Sequence, residues 1–149
     1  MVKLLSYFNK EDILEFQGYD DTKVNRALID HCLKDQDQEI KEKAFSLLGV
    51  KKNGKNLDLT KGFALTHIRL DAVDDIKISI GVFGENVKFP KKRQILALFC
   101  IIIPENKCQT YLSLMAHLTR LLSSKGAAQV FRPGNKKGII EYIRDFEDY

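Results

Sequence analysis

Residues 95–103 read Ile-Leu-Ala-Leu-Phe-Cys-Ile-Ile-Ile and stop at Pro104, with no charged residue among them. A strand that is apolar on both faces must be covered on both, and in α/β proteins helices supply that cover. The run is far too short to cross a bilayer, which needs about 20 apolar residues. It therefore predicts the central strand of a layered domain and requires amphipathic helices elsewhere in the chain.

Those helices are legible. Val24, Ala27, Leu28, His31 and Cys32 recur at helical spacing, and Asp20 or Asp21 can accept from the amides of the first turn. A second helix over residues 38–48 turns Ile40, Ala44, Phe45, Leu47 and Leu48 inward, with Gly49 as its stop. Residues 110–122 are apolar almost all round, which predicts a well-buried helix. Ile139, Tyr142, Ile143 and Phe146 follow the i, i+3, i+4, i+7 pattern after Asn135, a candidate cap. Residues 12–16 alternate as a short strand does, after a first eight residues that read as a short helix or docking segment. Residues 62–65 and 76–82 are further strand candidates, the latter nearer an edge. Residues 51–61 read as a polar, lysine-bearing loop. Strand, two helices, three strands and helices again predict layers rather than a barrel.

The 149 residues suit one domain, 1–149, large enough to bury a core without disulfide or metal. Cys32, Cys100 and Cys108 form no CxxC and cannot all pair, which suggests reduced thiols in a cytoplasmic protein. No signal peptide is visible. The net charge of +4 points only weakly to an anionic partner. The lysines of residues 51–61 and 88–93 are not interleaved with stacking aromatics, so nucleic acid is not expected as a partner. Gly49-Val50-Lys51-Lys52-Asn53-Gly54-Lys55-Asn56 is nearly a P-loop, but Asn56 has no hydroxyl for magnesium and the stretch leaves a helix. His31, His67 and His117 show no metal-ligand pairing, so no metal is expected. No other cofactor is implied.

Gly62-Phe63-Ala64-Leu65-Thr66-His67-Ile68-Arg69-Leu70 carries the chemistry. A histidine at the end of an apolar strand stands where α/β sheets present ligands. Its neutral imidazole can act as a nucleophile near neutral pH. Arg69 and nearby lysines can neutralise a phosphoryl group. The alternative is a strand-end histidine held by hydrogen bonds alone.

This stretch resembles the active-site segment G-x-A-x-P-H-A-R-L of enzyme IIA domains of the fructose–mannitol type and their nitrogen-regulatory relatives. Those are phosphocarriers of the bacterial sugar phosphotransferase system. Residues 76–81, the run into Pro104-Glu105 and residues 111–122 resemble the family's next strand, its Pro-Glu strand end and the helix after it. The resemblance implies a three-layer α/β/α sandwich on a mixed central sheet in a single domain. It also implies that His67 accepts phosphate from a histidine phosphocarrier protein and passes it to a IIB domain of a transporter, or uses it as a signal. Arg69, Lys51 and Thr66 would then bind phosphate, without direct membrane insertion. The family's proline before the histidine is Thr66 here, its upstream Arg-Glu pair is Lys51-Lys52, and its second histidine corresponds to Tyr111. These departures leave open a partner-binding regulatory module that carries no phosphate.

Overall fold

Every residue of Ala97–Ile103 is buried, and this strand is the middle of a five-stranded sheet. The computed structural model describes residues 2–50, 57–90 and 94–148. In chain order the strands are β1 (Ile13–Phe16), β2 (Leu57–Thr60), β3 (Phe63–Arg69), β4 (Lys77–Phe83) and β5 (Ala97–Ile103). The helices are α1 (Asp21–Cys32), α2 (Gln38–Val50), α3 (Cys108–Ser123), the single turn α4 (Ala127–Val130) and α5 (Lys136–Glu147). The spatial order is β1-β4-β5-β3-β2. β1 runs parallel to β4 and β3 parallel to β5, while β4–β5 and β2–β3 are antiparallel. The sheet is thus mixed, as the family resemblance implied.

Alternation along the strands divides the interior in two. Phe63 and Leu65 of β3, Ile78, Ile80 and Val82 of β4, and Phe99, Ile101 and Ile103 of β5 face α3 and α5. Ala64 and Ile68, with Leu98, Cys100 and Ile102, face α1 and α2 on the other side. The result is three layers. Phe131, fully buried after α4, meets Phe63 at 5.3 Å and Phe99 at 5.9 Å between ring centroids, which ties the C-terminal helices to the sheet.

The caps follow the sequence in part. Asp20 Oδ1 accepts from the Lys23 amide (3.1 Å) at the start of α1. Asn135 does precede α5, but its side chain makes no cap bond; its Nδ2 donates to the Val130 carbonyl instead (2.8 Å). Gly49 does not stop α2, which runs on to Val50. Within the expected loop 51–61, residues 51–56 lie outside the described ones, and Leu57–Thr60 is an edge strand on β3. The P-loop-like stretch therefore leads from a helix towards a strand, the reverse of a phosphate-binding turn. Burial of α3 is confined to one face, Leu114, His117, Leu118, Leu121 and Leu122. Leu112 on the opposite side is 65% exposed, because solvent rather than a further layer lies beyond it.

Gly81 marks a close approach. A Cβ there would lie 2.8 Å from Phe16 Cε2, in a ring stacked on Phe83 at 5.5 Å. Gly81→Val is expected to lower stability by about 1–3 kcal/mol through overpacking. Urea unfolding measures this, and an unchanged midpoint would show that the ring swings aside freely.

Candidate functional site

β3 carries the histidine motif through to its end, so His67 is a strand residue rather than part of a turn. The period of two puts His67 and Arg69 on the same face as Phe63 and Leu65, towards α3. His67 is half-buried and Arg69 is exposed, about 7 Å further along the strand. α3 enters directly after Pro104 and the short turn Glu105–Lys107, which sets its first turn beside the end of β3. Tyr111, in that first turn, lies against the imidazole: the rings are 5.7 Å apart between centroids and 29° from parallel. Burial raises the Tyr111 phenol above its ordinary pKa, so it is a neutral hydrogen-bonding group throughout the physiological range.

Of the residues expected around the site, the structure sets Tyr111 against His67 and leaves Arg69 exposed two residues further along the same face of β3. Lys51 lies outside the described residues. Thr66 is buried on the other face of the sheet, because neighbouring strand residues point to opposite sides. Its Oγ1 donates to Asn25 Oδ1 (3.0 Å), and Asn25 Nδ2 donates to the carbonyl oxygen (2.8 Å) and Oδ1 (3.1 Å) of Asp21. This chain of bonds fixes the backbone just before His67 to the first turn of α1. Asn25 was not singled out in the sequence, yet a signal exists: it sits beside Val24 in the inner stripe of α1, where an unpaired amide would be costly. Asn25→Ala is expected to cost about 2 kcal/mol, since it removes the buried bond from Thr66 and both bonds from Asn25 to Asp21. Thermal unfolding checks this, and a loss below about 0.5 kcal/mol would contradict it.

The other two histidines are held away from this site. His31 Nε2 lies 2.8 Å from Asp12 Oδ1. His117 is buried, with Nε2 2.6 Å from Glu147 Oε2. Beyond Arg69, an open groove of about 500 Å³ is lined by Asp71, Val73, Asp74, Pro104, Glu105 and Asn106. Its rim is acidic although the chain as a whole is basic. Among the described residues no cluster of His, Cys, Asp and Glu could hold a metal ion, and no helix is long and apolar enough to cross a membrane.

The family described as "Phosphoenolpyruvate-dependent sugar phosphotransferase system, EIIA 2" matches residues 49–146, more than half of the chain. The chain belongs to this EIIA family. Its members transfer phosphoryl groups through histidine residues. No curated protein sequence matches the chain. Among solved structures, this EIIA domain is similar to the nitrogen regulatory protein IIA-Ntr of Neisseria meningitidis, at 16% identity and a TM-score of 0.69 over 88% of this chain and 91% of that one. It is equally similar to the mannitol-specific cryptic phosphotransferase enzyme IIA CmtB of Escherichia coli, at 17% identity and a TM-score of 0.69 over 97% and 99% of the two chains. At such identities the likeness establishes the shared fold.

Proposed function

We propose that this EIIA-family chain is a phosphocarrier in which His67 accepts a phosphoryl group from a histidine phosphocarrier protein. It then passes the group to a IIB domain or presents it as a regulatory signal. The observation that carries the reading is the position of His67: half-buried on β3, with an exposed guanidinium two residues on and an aromatic ring against it. In the transfer, the lone pair of one His67 ring nitrogen forms the new N–P bond as the donor's N–P bond breaks. The electron pair of the broken bond returns to the donor imidazole, and each ring keeps the proton on its other nitrogen. Arg69 is suited to offset the charge of the transferring group, since a guanidinium matches phosphate oxygens with paired donors. Thr66 contributes by holding the strand to Asn25.

Incubation with the phosphorylated carrier protein and then with a IIB domain tests the reading. One acid-labile phosphate per chain, lost on addition of an acceptor IIB domain, is the expected result. A folded chain that no phosphorylated carrier labels would overturn it.

A further inference from the structure

We infer that Cys32 and Cys100 form a redox-sensitive thiol pair: a hydroperoxide oxidises Cys32, and Cys100 then closes a disulfide that fastens α1 to the central strand. The pair lies apart from the phosphoryl chemistry proposed for His67, on the opposite face of the sheet.

The way α1 lies on the sheet makes the pair. Cys32 is the last residue of α1, a helix packed on β4 and β5. Its Sγ donates to Ser79 Oγ (3.2 Å), whose own hydroxyl donates to the Leu28 carbonyl (2.9 Å). The same sulfur lies 3.8 Å from the carbonyl oxygen of Cys100. Ser79 and Cys100 stand directly opposite each other in the β4–β5 register, so their side chains share a face. That face is the one turned to α1 and α2, where Cys100 joins the apolar cluster of Leu28 and Ile29. The Cys32 sulfur therefore stands over the Ser79–Cys100 pair. The two thiols also act on each other: interaction with Cys32, and then burial, pushes the Cys100 thiol well above its ordinary pKa. Cys108 packs in the layer on the other side of the sheet, which separates it from both.

Exposure assigns the two roles. Cys32 is half-buried and Cys100 is fully buried, so a small oxidant meets Cys32 first. The Cys32 sulfur attacks the hydroperoxide: an S–O bond forms, the O–O bond breaks, and the leaving oxygen takes the proton that the thiol gave up. The products are a sulfenic acid and water or an alcohol. The Cys100 sulfur then attacks the Cys32 sulfur, the S–S bond forms, the S–O bond breaks, and hydroxide leaves as water with the Cys100 proton. Two thiols are oxidised and one peroxide is reduced. The new bond closes a long stretch of chain, the case in which a cross-link restricts the unfolded state most.

Folded wild type, Cys32→Ser and Cys108→Ser are treated with hydrogen peroxide near neutral pH, and their peptides are mapped by mass spectrometry without reduction. Wild type and Cys108→Ser are expected to lose the mass of two hydrogen atoms and to show the Cys32 peptide joined to the Cys100 peptide. In wild type Cys108 should still react with iodoacetamide after denaturation. Cys32→Ser should form no intramolecular disulfide. Oxidised wild type should melt about 5–10 °C above the reduced protein and return to its value with dithiothreitol. Cys32 that gains oxygen while Cys100 stays free would overturn the inference, since the sulfurs then do not meet. So would a link through Cys108, or a Cys32 that peroxide leaves unchanged. A linked chain that melts no higher would overturn the fastening of α1.

Discussion

Glu147→Ala is expected to lower the unfolding free energy by about 3–5 kcal/mol, the largest loss among the polar substitutions considered. Glu147 sits at the end of α5 with almost no exposure. Its Oε2 accepts from the Leu4 amide at 2.5 Å and lies 2.6 Å from His117 Nε2, and its Oε1 accepts from the Leu5 amide at 3.3 Å. One carboxylate thereby joins the N-terminal segment, α3 and α5. Alanine takes the acceptor from a buried imidazole, the buried Leu4 amide and the half-buried Leu5 amide, and each buried group carries its own desolvation penalty of about 1–3 kcal/mol. The melting temperature should fall by on the order of 10 °C. Glu147→Gln keeps an acceptor oxygen and should lose less. Amide exchange at Leu4 and Leu5 should accelerate before the core does, since they are the first groups released. A loss below about 1 kcal/mol on Glu147→Ala would show that water or a neighbouring group replaces the carboxylate.

His67→Ala is expected to abolish phosphoryl acceptance while leaving the fold intact. The side chain is half-buried and packs against Tyr111 from one side, so its removal should cost only about 1 kcal/mol. The paired control is His31→Ala, which should be labelled at the wild-type rate. His31, in α1, is bound to Asp12 just before β1, on the side of the sheet opposite the His67 face of β3. Loss of labelling in both variants would point to a general requirement for the fold. Retention of labelling in His67→Ala would remove His67 from the proposed role. The two substitutions separate a chemical role from a structural one, because both remove an imidazole and only one removes the proposed acceptor.

The central strand was the most legible part of the fold, since a run like Ala97–Ile103 has few alternatives to burial on both faces. α1 and α5 were legible because their apolar positions repeat with the helical period and are flanked by polar residues. β2 was not, and the reason is physical. It is a four-residue edge strand with a bulge, in which Asp58 faces solvent, so its pattern is hardly distinguishable from a loop. The α3 surface misled in the other direction. Apolar composition all round predicted burial all round, yet Leu112 stands 65% exposed, because hydrophobic residues are not confined to interiors.

The site divides along the same line. His67 and Arg69 could be placed on one face of a strand from sequence spacing alone. The same alternation puts Thr66 on the opposite face, where it joins Asn25. What spacing could not supply is which residues from other elements arrive there. Tyr111 reaches His67 through the packing of α3 on β3, and Asn25 reaches Thr66 through the packing of α1 on the other side. Both are long-range contacts fixed by how layers stack, not by any local pattern.

The most direct test of the account is to locate the phosphate. Wild-type protein is incubated with phosphorylated carrier, digested under alkaline conditions that preserve phosphohistidine, and its peptides are sequenced by mass spectrometry. The account predicts phosphate on the peptide containing His67 and on no other. Phosphate on the His31 or His117 peptide, or a chain that folds and carries none, would contradict it.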